Sequence, residues 1–232
     1  MRTDDDRRHD PTDDPWWAEI WEFEFAVPDA TMAMFTRLSV YPNLRQTWFW
    51  AAVVRKGLPF VLCRDHDLDA PTWPLEIRGG GLWSHAICET PFDHWTVAME
   101  AFAVGFDDPM EAWRGERGDK VGLAFDLEWE RTEPMFRVDG PGFDGYGMDC
   151  RVSGELQIDS HKMDIDTGGS RRHTWGLADS TQLTIDDPEA GRAALLRAPI
   201  QIELPDGGRQ RIIRSLRRYP HGAMRWDLML SQ

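Results

Sequence analysis

From residue 20 onward apolar and polar residues alternate with a period of two, the pattern of strands that bury one face. In IWEFEFAV, Trp21, Phe23 and Phe25 share one face while Glu22 and Glu24 share the other. FTRLSVYP and TWFWAAVV follow, the second apolar on both faces, and PFVLC runs into Arg64-Asp65-His66-Asp67. Next come PLEIRG, GLWSHAICE, HWTVAMEAFAVGF and GLAFDLEWE. The last sets Leu123, Phe125, Leu127 and Trp129 against Asp126, Glu128 and Glu130. Tyr41-Pro42-Asn43, Gly79-Gly80-Gly81 and Thr90-Pro91 punctuate these runs as turns. Asp108–Trp113 is expected to form a helical turn, with Asp as N-cap and Pro at the first helical position.

A Gly/Pro-rich stretch at 138–145 interrupts the pattern, which resumes in MDCRVSGELQI, KMDIDTGGSRRHTWG and TQLTI. DPEAGRAALLR reads as a short helix, IQIEL and RQRIIRSL as a hairpin across Pro205-Asp206-Gly207-Gly208, and AMRWDLML as a closing strand. Short strands spaced roughly every 8–14 residues point to an all-β antiparallel barrel or sandwich with one or two short helices. The expected division is a disordered acidic tail at 1–15, an N-terminal barrel at 16–131, a linker at 132–147 and a C-terminal β half-barrel at 148–232.

Charge narrows the partners. A formal net charge of −14 argues against nucleic acid, whose binding relies on basic side chains that release counterions. The arginines at 209, 211, 214, 217 and 218 alternate with Ile and Leu, as on a solvated strand face. There is no apolar run of transmembrane length. The polar, acidic N-terminus and three scattered cysteines (Cys63, Cys88, Cys150) fit a cytoplasmic protein with reduced thiols. Twelve tryptophans exceed what a core of this size needs, so some are expected to line a cavity. The wall candidates are Trp48, Trp50, Trp83, Trp95, Phe102 and Trp129.

Four constellations carry candidate chemistry. His85, Cys88 and His94 could ligate a metal, but His85 and Cys88 fall on opposite strand faces and Pro91 separates His94, so no metal is expected. Asp65 and His66, at a strand end, form a candidate acid/base pair or a charged rim turn. Glu100 lies in a strand apolar on both faces. It is expected to be desolvated and to keep its proton as a general acid, or else to pair with Arg37, Arg55 or Arg78. His173 and Trp175 share one face of Gly168–Gly176, an imidazole beside an indole suited to proton relay or cation stabilisation; a buried structural His is the alternative. No G-x-S-x-G elbow, phosphate-binding loop, dinucleotide fingerprint or H-E-x-x-H helix occurs.

The Gly169-x-x-x-His173-x-Trp175-Gly176 run resembles the tandem lipocalin-like proteins related to hydroxyneurosporene synthase, the carotenoid 1,2-hydratases. Trp21–Phe25, LSVYPN, Arg64-Asp65-His66 and ETPFDHWTVAMEAFAVGFDD are similar to stretches of uncharacterised bacterial members. The resemblance implies lipocalin-like barrels packed side by side, isoprenoid chemistry without metal or nucleotide, and a place for His173 and Trp175 in the active site. The family's Tyr and Asp on a later strand have no counterpart in Ala198-Pro199-Ile200-Gln201-Ile202, so another acid is required.

The expected function is a cofactor-independent hydratase or dehydratase, or an isomerase or cyclase using the same parts, acting on a small terpenoid in an apolar cavity. Glu100 is the first choice of acid, Asp65 and His66 the second, with His173 positioning or deprotonating water and Trp175 among the substrate contacts. The alternative is a non-catalytic carrier for an isoprenoid, steroid or fatty-acyl ligand, since an eight-stranded barrel can hold one small molecule without transforming it. Partners are a small apolar molecule, no nucleic acid and no membrane span, with homo-oligomerisation left open.

Overall fold

The computed structural model describes residues 6–14, 17–28, 31–71, 75–108, 111–114, 117–139 and 142–177, and the strand segments 184–185, 201–203, 209–218 and 224–231. Strands β1 (Trp17–Ala26), β2 (Met32–Tyr41), β3 (Gln46–Arg55) and β4 (Phe60–Leu68) form an antiparallel meander. β5 (Ile77–Gly79), β6 (Leu82–Thr90) and β7 (His94–Phe106) follow, then the short helix α1 (Glu111–Arg114) and β8 (Asp119–Arg131). β9 (Phe136–Asp139), β10 (Phe143–Ile158) and β11 (His161–Leu177) continue the chain. The expected helical turn is present as α1, where the Glu111 amide donates to the Asp108 carbonyl at 2.9 Å.

The sheet returns on itself. β8 pairs with both β7 and β10, so the path β1-β2-β3-β4-β7-β8-β10-β11 leads back to β1, an antiparallel ring of eight strands. β5 and β6 branch from β7, β9 branches from β10, and β12 (Thr184–Ile185) pairs with β9. β13 (Gln201–Glu203), β14 (Arg209–Arg218) and β15 (Met224–Ser231) form a separate three-stranded antiparallel sheet. The fold is all-β and antiparallel, as the alternation predicts. Among the described residues no helix is long and apolar enough to cross a membrane.

Strand pairing crosses the boundary expected between the two halves. β10 and β11, assigned by the sequence to a linker and a second half-barrel, close the ring by pairing with β8 and β1. At 16 and 17 residues they are long enough to pair along one another while also bonding to strands from the first half. The Gly/Pro-rich stretch overlaps the end of β9 and the start of β10, which pair through Arg137 with Tyr146 and Phe136 with Gly147. The helix expected over DPEAGRAALLR lies outside the described residues.

Alternation decides which side chains enter the ring. Trp21, Phe23 and Phe25 of β1 join Phe49, Ala51 and Val53 of β3, Trp95, Val97 and Met99 of β7, and Leu123, Phe125, Leu127 and Trp129 of β8 in one buried core. Trp50, Ala52 and Val54, on the opposite face of β3, pack with Phe60, Leu62, Phe106 and Ala112 of α1 in a second cluster. Arg37, a sequence-level partner for Glu100, instead donates to Glu22 Oε1 at 3.3 Å, and Arg172 donates to Glu22 Oε2 at 2.9 Å. These residues meet on the side of β1 opposite the aromatic core, where the pairings Glu22↔Arg37 and Glu22↔Arg172 align them.

Candidate functional site

In β11, Arg171, His173 and Trp175 occupy alternate positions, so all three share one strand face. In β1, Glu19, Trp21 and Phe23 do the same, and the register sets Trp21 opposite His173 and Glu19 opposite Trp175. On the other side of β11, Tyr146 of β10 stands opposite His173. The pleat therefore gathers a carboxylate, a guanidinium, an imidazole, a phenol and two indoles at one place.

Residues 6–14, expected as part of a disordered tail, pack against this place. Asn43 donates to the carbonyls of Thr12 and Asp14 at 2.7 Å each, and Arg8 donates to the Pro71 carbonyl at 3.3 Å. His9 donates to Glu19 Oε1 from its backbone at 3.0 Å and from Nδ1 at 2.8 Å, and its ring stacks on Trp175 with centroids 3.7 Å apart. A polar segment orders when its donors and acceptors find partners, and here the partners come from the barrel.

Glu19 Oε1 also lies 3.0 Å from His173 Nε2, with His173 wholly buried. Burial alone would push the Glu19 pKa up. The hydrogen bonds from His173 and then His9, with the attraction of those imidazoles, outweigh it and hold the carboxyl below its ordinary 4.5. Burial pulls His173 below its ordinary 6.5 despite Glu19, so near neutral pH the ring is neutral. An ionised carboxylate accepts only, so the neutral ring donates from Nε2 and carries its lone pair on Nδ1. That Nδ1 is buried without a protein partner, and so is Nε2 of His9. The Trp21 ring stacks on His173 with centroids 4.6 Å apart.

A second carboxylate, Asp6, reaches deeper. Its Oδ2 accepts from the Phe92 amide at 2.6 Å, Trp95 Nε1 at 3.0 Å and Arg171 Nη2 at 3.2 Å. Its Oδ1 accepts from Arg171 Nη1 at 3.1 Å and from the Tyr146 hydroxyl. The Cys88 thiol is 3.5 Å from Oδ2. Burial works to raise the Asp6 pKa, but Arg171 first and then the bonds from Tyr146, Phe92 and Trp95 hold it below the usual 3.8. Phe92 has φ +60°, a left-handed conformation that costs a non-glycine residue roughly 1–2 kcal/mol.

Of the residues singled out in the sequence, His173 and Trp175 meet here, with Trp95 in the Asp6 cradle and Trp129 in the surrounding core. Glu100 does not. It is exposed on β7, opposite Trp83 and Ala124, because the odd-numbered residues of that strand take the inner face and leave Glu100 and Phe102 outside. Phe102 is 63% exposed under the Lys120 ammonium, Trp83 lies on the outer face of β6 against His85, Trp48 packs near Tyr41, and Trp50 belongs to the outer cluster. These four line no interior wall. Asp65 is half-buried on β4, where it accepts the Asp67 amide, and His66 is placed on the same strand by its backbone alone. Cys88 points toward Asp6 while His85 packs on Trp83, the opposed faces expected of them.

Residues 2–185 match the family described as a domain of unknown function, DUF7064. The chain belongs to this family. No curated protein matches the chain, and no solved structure does. The DUF7064 match spans the eight-stranded ring and every residue of the site from Asp6 to Trp175, and ends before β13. Within it, His9, Glu19 and His173 offer ligand atoms all within 4.8 Å of one another, a two-histidine, one-carboxylate set of the kind that can hold zinc. A metal there would replace the two ring N–H donors that now bond Glu19.

Proposed function

We propose that this member of the DUF7064 family is a cofactor-independent hydro-lyase that removes water from, or adds it to, a small apolar terpenoid-like molecule, with His173 as the proton carrier. The observation that carries the proposal is the Glu19–His173 hydrogen bond, which fixes the tautomer and leaves a lone pair on a buried, unpartnered Nδ1. A carboxylate-oriented neutral imidazole is a general base of suitable strength near neutral pH. In dehydration of a terpenoid whose hydroxyl lies β to a carbonyl, Nδ1 takes the proton from the carbon between the two groups, the C–H electrons become the new double bond, and hydroxide departs with the C–O electron pair. The imidazolium returns its proton to that hydroxide, so water leaves and the base is regenerated. Hydration is the reverse.

Trp21 and Tyr146 beside the ring, and the family resemblance of Gly169–Gly176, support this assignment. With Glu100 exposed, and Glu19 and Asp6 held as carboxylates, the chemistry is led by a base rather than by a strong acid. The eight-stranded ring also suits a carrier, so the deciding test is turnover. A panel of terpenols is incubated in deuterated water and followed by mass spectrometry with wild type, Glu19→Gln and His173→Gln. Deuterium entry and water loss in wild type, and neither in His173→Gln, are expected. Binding without turnover by wild type at any pH makes the chain a carrier. Activity lost to a chelator and restored by zinc makes His9, Glu19 and His173 metal ligands instead.

A further inference from the structure

We propose that Arg171, Tyr146, Trp95 and the Phe92 amide form a carboxylate-binding cradle for an apolar carboxylic acid, and that Asp6 occupies it as a displaceable stand-in from the chain's own N-terminal segment. The donors come from the body of the barrel: Arg171 from β11, Tyr146 from β10, Trp95 from β7 and Phe92 from the turn before β7. They converge on two oxygens of one carboxylate, with both terminal nitrogens of Arg171 engaged. The carboxylate belongs to a segment that precedes the first strand of the ring.

Two features exceed what anchoring a tail requires. Arg171 is 2% exposed, and its Nε is buried without a partner, so the guanidinium has donor capacity that Asp6 leaves unused. Phe92 holds a left-handed backbone that turns its N–H onto the same oxygen. A buried guanidinium stripped of its counter-anion is costly, so a cradle that releases Asp6 favours refilling by another carboxylate. The aromatic core, with Phe23 against Trp95 and Trp129, borders the cradle and suits an apolar tail. His173 lies beside Tyr146, ring centroids 5.7 Å apart, so an anchored acid would lie close to the imidazole. The inference rests on the interior being the ligand site, as in the proposed function, but not on the proton transfer.

The test uses the full chain with decanoate as a fatty-acyl probe, citronellate as a terpenoid one, and decanol as the uncharged control, read by calorimetry and thermal unfolding. In Asp6→Ala the cradle is free, and both acids should bind about tenfold or more tighter than to wild type, because occupancy by Asp6 lowers apparent affinity in proportion to the competent fraction. Both should also restore the thermal stability that Asp6→Ala loses, while decanol should do neither. Tyr146→Phe in the Asp6→Ala background should cut the gain without unfolding the chain. Which acid binds tighter distinguishes a fatty-acyl from a terpenoid ligand. Folded Asp6→Ala that takes up decanoate no better than decanol overturns the cradle. His173→Gln in the Asp6→Ala background should bind both acids equally well, so loss of turnover there bears on the base and loss of binding on the cradle.

Discussion

Glu19 and His173 meet across the β1–β11 pair, with the carboxylate oxygen 3.0 Å from Nε2 and both side chains closed to solvent. The same oxygen accepts the backbone and ring N–H groups of His9, so one acceptor ties the N-terminal segment to the barrel wall. Glu19→Ala leaves all of those donors unsatisfied and should cost about 1–3 kcal/mol for each buried one. Glu19→Gln keeps an acceptor oxygen and should cost about 1–3 kcal/mol. In urea unfolding the midpoint should fall in that order with unchanged slope. A Glu19→Ala protein as stable as wild type would remove Glu19 from the centre of the network.

Stability should fall with acid in two stages. The folded pKa of His173 lies below the ordinary 6.5, so just under that pH the unfolded chain takes up a proton that the folded chain refuses. Glu19 and Asp6 lie below their ordinary 4.5 and 3.8, and each adds stability that is present above those values and lost as pH drops through the lower folded ones. Unfolding free energy should therefore decline gently below pH 6.5 and more steeply below about 4.5. His173→Gln should flatten the upper limb and, by removing the main bond that lowers the Glu19 pKa, also weaken the part of the lower limb that Glu19 supplies. A folded state that gains stability as pH drops from 6.5 to 5 contradicts a buried neutral His173.

Much of this arrangement was legible in the alternation. It sorted Trp21, Phe23 and Phe25 from Glu22 and Glu24, placed Leu123 through Trp129 inside, and set His173 beside Trp175. Followed one step further it would have found Glu19 in register with Trp21, and Arg171 in register with His173. Glu100 misled because an apolar residue on the second face of a strand is no proof that anything covers that face. Phe106 at the end of β7 is covered, Phe102 and Glu100 are not. Asp6 and His9 carried no local signal. Their order comes from partners on β1, β7, β10 and β11, which are far away in sequence, and the same long-range pairing carries the ring across the expected domain boundary.

The seam that closes the ring depends on Gly154. It pairs with Leu127 between β10 and β8 at φ +136°, and a Cβ there would run into the Asp126 carbonyl oxygen and lie 3.0 Å from Leu127 Cα. Both obstacles are backbone and cannot yield without breaking the ladder. Gly154→Ala should cost about 1–3 kcal/mol or more and should speed amide exchange along Asp126–Trp129. Gly168→Ala, where a Cβ meets nothing within 4 Å, should stay within about 0.5 kcal/mol of wild type. Equal effects at the two positions would mean that the β8–β10 seam is looser than described.

Cys88 reports on whether Asp6 is in its cradle. Burial first, and then the charge of Asp6 and its hydrogen bond to the thiol, push the Cys88 pKa up to about 12. The thiolate is the reactive form, so at pH 8 Cys88 should alkylate slowly in the wild-type protein. Asp6→Ala removes both contributions of the carboxylate, and each unit recovered gives about tenfold more thiolate at that pH. Burial, followed by the charge of Asp65, likewise puts Cys63 at about 12, and Cys150 is buried on β10. With Cys63 on β4 and Cys150 on β10, both serve as internal references. Peptide mapping after iodoacetamide should show Cys88 alone speeding up in Asp6→Ala, and decanoate should slow it again by returning a carboxylate beside the sulfur. If the rate is the same with and without Asp6, the thiol is governed by burial alone, and the contact between Cys88 and the N-terminal segment is not what protects it.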